Sequence, residues 1–359
     1  MLFRGLVGPL AASVDRLVSV AITGRSARSR RRSRSESLGH PERIIALDRV
    51  AESYVHAEPL DDIDRFFGEA TACSPSFTRV GTRSFRGTAA LVLDARWPSR
   101  VSTFASDARL SSSFAETREN HDAAARLFLG PGTNRPTAIL VHGYRAGQHA
   151  IEERVWPIQW LVSRGMDVAL FVLPFHGVRA TRLSEPRFPA SDPRFTNEAF
   201  RQAISDIRAL RRFFLERGSP AVGAMGMSLG GYTVSLLATV EEGLSFVAPV
   251  IPLASFADIA LAAGRLVGTP AEQALQHEKL ERAHRVVSPF SRASKVAPGS
   301  VIVVAGEGDR ITPLAHAERL RRHFDGELVT FPGGHLLQIG RSEGFRAIGR
   351  MLTRNGFLS

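Results

Sequence analysis

The sequence predicts an α/β fold, a doubly wound and mostly parallel sheet with an antiparallel start and one helical insertion. Three observations carry that expectation. From residue 136 onward, short fully apolar runs alternate with segments of helical length, as strands covered on both faces do. Upstream, residues 77–130 hold three short runs separated by glycine, proline and serine, the pattern of antiparallel edge strands. At residues 222–232, the run VGAMGMSLGGY sets a serine between a small apolar strand and an apolar helix, at a turn lined by glycine.

Taken in order, residues 2–22 place Phe3, Leu6, Val7, Leu10, Val14, Leu17, Val18 and Ala21 on one helical face, while Asp15 and Arg16 interrupt the uncharged centre that a secretory signal requires. A basic, serine-rich run, RSARSRRRSRSES, follows. Two readings fit residues 1–40. The favoured one is a helix packed on the main domain ahead of a linker; the other is an amphipathic helix with a polybasic patch that holds residues 2–34 on an anionic membrane surface. The main domain then runs over 41–359. Its lead-in, 41–135, opens with one or two short helices carrying Ile44, Ile45, Leu47, Val50, Ile63, Phe66 and Phe67 as an apolar stripe. Strands are expected in TAILVHG, DVALFVLP, AVGAMG, LSFVAPVI, VIVVAGEGD and ELVTFPGG. Helices are expected over 150–164, 196–217, 229–240 and 342–354, the second closed by Gly218 and Pro220. Residues 252–299 form the insertion, apolar over its first part and charged over 272–285.

Composition bounds the function. The 359 residues are 44% apolar and 23% charged, ordinary values for a soluble globular chain. The net charge of +11 rests on 46 basic residues, of which only Lys279 and Lys295 are lysines. That skew reads as genomic base composition, since a nucleic-acid binder usually mixes and clusters its cations. Eight arginines stand against Asp15 and Glu36 in the first forty positions, so six of the eleven net charges lie there, and no nucleic-acid partner is expected. Cys73 is the only cysteine, which excludes an intrachain disulfide and a cysteine-based zinc site and fits the reducing cytoplasm. No apolar run reaches the length of a membrane span.

The chemistry is read from the loops after the strands, where an open α/β sheet collects its reactive groups. Gly226-Met227-Ser228-Leu229-Gly230 fits a nucleophile turn: Gly226 and Gly230 let strand and helix approach, and Ser228 is lifted clear of the sheet edge. A serine nucleophile needs a base, an acid that orients the base, and N–H donors for the oxyanion. His335, on a glycine-lined loop after ELVTFPGG, is the candidate base. Asp309, at the end of VIVVAGEGD, is the candidate acid, with Asp258 and Glu307 as alternatives. The backbone N–H groups of Leu229 and Tyr144 are the candidate donors; Gly143 permits the sharp turn before Tyr144, and His142 is expected to brace it. His277, His284, His316 and His323 are expected as surface or capping residues. In LPFHGVRATR, His176 and Arg179 are candidates for lining the cleft, as is Phe256 in the insertion.

Through VHGYRAG, GMSLGG, GEGDRITP and FPGGH, the chain from about residue 88 to its end resembles the α/β-hydrolase superfamily. The motifs ARWPSRVST, HGY and LPFHGVR make it similar to a poorly characterised bacterial branch of esterase-like hydrolases, itself similar to eukaryotic members implicated in lipid deacylation. The resemblance implies no metal and no organic cofactor, and it makes the insertion a small helical cap over the nucleophile, with Phe256, Ile259 and Leu261 suited either to an apolar acyl pocket or to simple packing against the sheet. The expected activity is that of a carboxylic ester hydrolase acting on a small-molecule acyl ester or thioester. Acyl transfer by the same machinery and a catalytically silent binding protein on the same fold remain as alternatives.

Overall fold

The computed structural model describes residues 7–8, 11–13, 15, 38–57, 60–181 and 185–358. The basic run and most of the apolar stripe expected over residues 2–22 lie outside them; residues 7, 8, 11–13 and 15 are helical. Among the described residues, nine strands form one sheet in the order β1-β2-β3-β5-β4-β6-β7-β8-β9. The first three, β1 (Ser76–Phe85), β2 (Thr88–Pro98) and β3 (Asp122–Leu129), are antiparallel, and β3 joins β5 (Asp167–Val172) in the same sense. From there every pairing is parallel, through β4 (Thr137–Val141), β6 (Val222–Met227), β7 (Val247–Val250), β8 (Ile302–Gly306) and β9 (Glu327–Phe331). This is the doubly wound, mostly parallel sheet expected from the alternation of apolar runs and helices.

The strands sort their side chains by the two-residue period of the pleat. Ile139, Val141, Val222, Ala224 and Val303 enter the core under α6 (Pro193–Glu216) and α7 (Leu229–Val240). Ala138, Leu140, Met225, Ile302 and Val304 enter the opposite core, under α5 (Ile158–Ser163) and α11 (Ser342–Arg354). With both faces covered, a strand such as β4 is buried at every position, and for that reason no polar alternation marks it in the sequence.

Local signals set the helix limits. Asp192 accepts a hydrogen bond from the Arg194 N–H, Pro193 occupies the first turn of α6, and Gly218 at φ 94° ends it. The single helix expected over 150–164 is two, α4 (His149–Val155) and α5, because Pro157 cannot donate the hydrogen bond that would join them. A short helix, α3 (Ala108–Ala115), lies in the lead-in where only strands and turns were expected; Asp107 caps it through the Leu110 N–H. The insertion folds as α8 (Phe256–Ala262) and α9 (Pro270–Ala283), and α10 (Leu314–Phe324) follows β8. Helix α9 packs on α1 (His40–Glu52), where Lys279 Nζ donates to Asp48 at 2.8 Å, and α2 (Ile63–Phe67) packs on α6, so the lead-in and the insertion share contacts rather than standing apart. Among the described residues no helix is long and apolar enough to cross a membrane.

Candidate active site

Ser228 stands at the carboxyl end of β6, in the turn that starts α7, with φ 55° and ψ −111°. The turn is possible because its neighbours lack side chains: a Cβ on Gly226 would fall 2.0 Å from the Gly230 carbonyl oxygen, and one on Gly230 would fall 2.1 Å from that of Val141. Two backbone bonds fix the serine between strands, its N–H donating to the Val250 carbonyl at 3.0 Å and its carbonyl accepting from the Leu253 N–H at 3.1 Å.

Three loops converge on it. His335, after β9, brings Nε2 to 2.9 Å from Ser228 Oγ and Nδ1 to 2.8 Å from Asp309 Oδ2. Asp309, after β8, is buried and held by its own turn: Oδ1 accepts from the N–H groups of Ile311 at 2.9 Å and Thr312 at 2.8 Å. Thr312 Oγ1 lies 3.0 Å from both Asp309 Oδ2 and the Ile251 carbonyl, tying the acid to the end of β7. With Nδ1 facing a carboxylate, the imidazole carries its proton there and turns a lone pair toward the serine hydroxyl. The alternatives for the acid are engaged elsewhere. Asp258 pairs with His277 at 2.7 Å on the insertion, and Glu307 Oε1 accepts from Thr330 Oγ1 at 2.9 Å on the outer face of β8 and β9.

The third loop follows β4. A Cβ on Gly143 would lie 3.3 Å from Ser228 Cβ, so the backbone of His142-Gly143-Tyr144 passes directly beside the serine. His142 braces it from below. Its Nε2 accepts from the Leu173 N–H at 3.0 Å, which leaves Nδ1 to donate to the Gly143 carbonyl at 2.7 Å. Complete burial, with the His176 ring beside it, pushes the His142 pKa well below its ordinary value, so it is a fixed neutral strut.

The structure corrects the expectation for two residues of LPFHGVRATR. Arg179 does not line a cleft: its guanidinium is fully buried, 3.0 Å from Asp206 of α6, and donates to Asn120 Oδ1, the Val172 carbonyl and Ser99 Oγ. A charge withdrawn from water needs a partner charge, and Asp206 provides it. His176 is likewise closed off from solvent, beneath Tyr144 and against the rings of His142 and Phe188. Its Nδ1 faces the Pro174 carbonyl at 2.9 Å, and burial lowers its pKa to about 4. Phe256 is half-buried in an aromatic group with Tyr232, Phe200 and His284. Of the histidines expected as surface or capping residues, His284 does stand at the C-cap of α9, but it and His316 are buried: His316 Nδ1 accepts from the Ala254 N–H at 2.9 Å, and His284 Nδ1 meets Asn197 Oδ1 at 2.7 Å.

The sequence reading missed Thr312, whose Oγ1 also lies 3.0 Å from His335 Nδ1, and Asp15, whose carboxylate accepts the N–H of His335 itself at 2.7 Å. A charge inside an apolar helical stripe was the signal that could have found Asp15.

A strained serine after a central parallel strand, a histidine after the last strand and a carboxylate after the one before define an arrangement seen in one large class of proteins, and a sequence model of the alpha/beta hydrolase family matches residues 138–348. The chain belongs to that family. Two uncharacterized proteins of Mycobacterium tuberculosis, from different strains, are each 31% identical over 226 residues, which cover 61% of this chain and 54% of theirs, so the chain matches about half the length of these relatives. Among solved structures, the acetyl xylan esterase from Paenibacillus sp. R4 superposes with a TM-score of 0.58 at 16% identity, covering 82% of this chain and 92% of that one. Acetyl xylan esterase 1 from Thermoanaerobacterium sp. JW/SL YS485 gives 0.55 at 15% identity, covering 82% and 93%. At that identity the likeness is one of fold.

Proposed function

We propose that the chain is a serine hydrolase that cleaves a carboxylic ester or thioester through an acyl-serine intermediate. The observation that supports it most is the unbroken hydrogen-bonded line from Ser228 Oγ through both ring nitrogens of His335 to Asp309, at 2.9 and 2.8 Å. In this mechanism His335 Nε2 takes the hydroxyl proton as Ser228 Oγ attacks the acyl carbon. Asp309 keeps the ring in the required tautomer and stabilises the imidazolium. The N–H groups of Leu229, at the start of α7, and of Tyr144 receive the oxyanion, each donor lowering the barrier by about 3 kcal/mol. Collapse breaks the acyl–oxygen or acyl–sulfur bond, and the leaving group departs with the proton from His335. Water, deprotonated by the same ring, then attacks the acyl-serine and returns the enzyme. Protons and electrons balance without a cofactor. Half-buried Phe256 and its aromatic neighbours, together with Ile259, are the proposed acyl-binding wall. Free Cys73 accords with the proposed cytoplasmic setting.

The test is labelling of the full chain with a fluorophosphonate, which captures only an activated serine. Wild-type protein is expected to label stoichiometrically, and Ser228→Ala or His335→Ala to lose both labelling and turnover of short acyl esters by roughly 10⁴-fold or more, since such residues act as a unit. Folded wild-type protein that resists the probe would overturn the proposal in favour of a silent binding protein. Product analysis with a competing alcohol separates hydrolysis from acyl transfer.

A further inference from the structure

Asp15 is completely buried. Its Oδ2 accepts from the N–H groups of His335 at 2.7 Å and Arg310 at 3.2 Å, and its Oδ1 accepts from the Leu336 N–H at 3.0 Å. These donors belong to two different loops, the one after β8 that carries Asp309 and the one after β9 that carries His335. Without such donors a buried carboxylate would be strongly disfavoured, and with them it becomes a charge-assisted knot between the loops. The helical segment that brings Asp15 there lies on a bed cleared of side chains. A Cβ on Gly308 would fall 2.7 Å from the Gly8 carbonyl oxygen and 3.4 Å from the Ala11 Cβ, and one on Gly334 would fall 2.6 Å from Asp15 Oδ2. Val7 and Ala11 are buried with it. The glycines of GEGD and PGGH therefore serve a second purpose, to admit Gly8, Ala11 and Asp15 against the site.

We propose that Asp15 is a positioning residue for the reaction: it ties the acid loop to the histidine loop so that the His335 ring stays between Asp309 and Ser228, and turnover requires the N-terminal segment to be docked. This rests on the reading of Ser228, His335 and Asp309 as the catalytic residues. Asp15 touches no substrate. Its influence runs through the placement of His335, where an error of about 1 Å can cost roughly a hundredfold in rate.

Three variants of the whole given chain test it: Asp15→Ala, which removes the knot; Asp15→Asn, which keeps one acceptor oxygen; and Ala11→Arg, which forces the segment off Gly308 while retaining the Asp15 carboxyl group in the sequence. The measurements are kcat and KM for p-nitrophenyl acetate, fluorophosphonate capture rate, and amide hydrogen exchange of peptides spanning 308–312 and 332–338. Asp15→Ala and Ala11→Arg are expected to lower kcat and the capture rate about 10- to 100-fold, with KM within about twofold, and Asp15→Asn to fall between them and wild type. Exchange should accelerate in those two peptides and stay unchanged in β4 and β6. Unchanged exchange in both loops, or accelerated exchange with full kcat, overturns the proposal. Were wild type itself neither to turn over nor to label, the hydrolase reading would fail, and the exchange data alone would still decide whether Asp15 ties the loops. If Asp15→Ala does not fold, Asp15→Asn and Ala11→Arg carry the same comparison.

Discussion

At Ser228 the backbone occupies a left-handed region that an L-residue holds only when its surroundings over-determine it, at a cost of about 1–3 kcal/mol. Here the surroundings are backbone: the bonds to Val250 and Leu253 and the side-chain-free contacts at Gly226 and Gly230. The hydroxyl is thus aimed before any substrate arrives. Asp309 is organised in the same way, since Ile311, Thr312 and His335 all point donors at it and fix the lone pairs that face Nδ1. Asp309→Asn would offer an amide in place of one acceptor and favour the tautomer with the proton on Nε2, facing the serine. The expected result is a fall of about 10³–10⁴ in kcat, with the thermal midpoint nearly unchanged, measured on a short acyl ester. Activity near wild type in that variant would remove Asp309 from the mechanism.

Among the elements, α6 does more than cover the sheet. Its Asp206 holds Arg179, and that pair anchors the loop after β5 beneath His176 and Tyr144. Burial raises the Asp206 pKa and lowers that of Arg179, and each charge opposes that shift in the other. Arg179→Leu leaves a buried carboxylate without its partner and should destabilise the fold by about 3–5 kcal/mol in urea unfolding, whereas Arg179→Leu with Asp206→Leu should recover much of that loss. A single variant as stable as wild type would refute the account. The same pair shows where the sequence stops being readable. Strands β4 to β9 and helices α6, α7 and α11 are legible because apolar runs report burial directly, and Ser228, Asp309 and His335 are legible because their motifs fall at strand ends. In contrast, a histidine and an arginine in a loop carry no mark of burial. What encloses Arg179 is Asp206 on α6 and Asn120 ahead of β3, and no local pattern joins those positions. Asp15 was hidden likewise, its partners lying more than 290 residues further along the chain. The alternative reading of residues 2–34, a helix on an anionic membrane surface, would compete with its docking, because Val7 belongs to both faces.

For the molecule as a whole, the buried imidazoles set an acid limit. Burial holds His176 and His284 near a pKa of 4, so below about 6.5 the unfolded chain binds protons that the folded chain refuses. Their stabilising effect is full above that value and drains away as the pH falls, by up to about 3 kcal/mol for each residue at pH 4. Urea midpoints measured from pH 7 to pH 4 should fall steadily, and the fall should be shallower in His284→Gln; parallel curves would refute that assignment. The contact between Asp15 and His335 has a consequence of another kind, because 320 residues separate the two partners. On a ribosome, Asp15 emerges 320 residues ahead of His335. For most of that interval its carboxylate can remain in water, and the loops that carry Asp309 and His335 can be drawn together only once β9 has been made and paired. The proposed hydrolytic competence would then appear abruptly, and a nascent chain folded through β7 and Leu253 would hold its serine in place with no histidine to activate it.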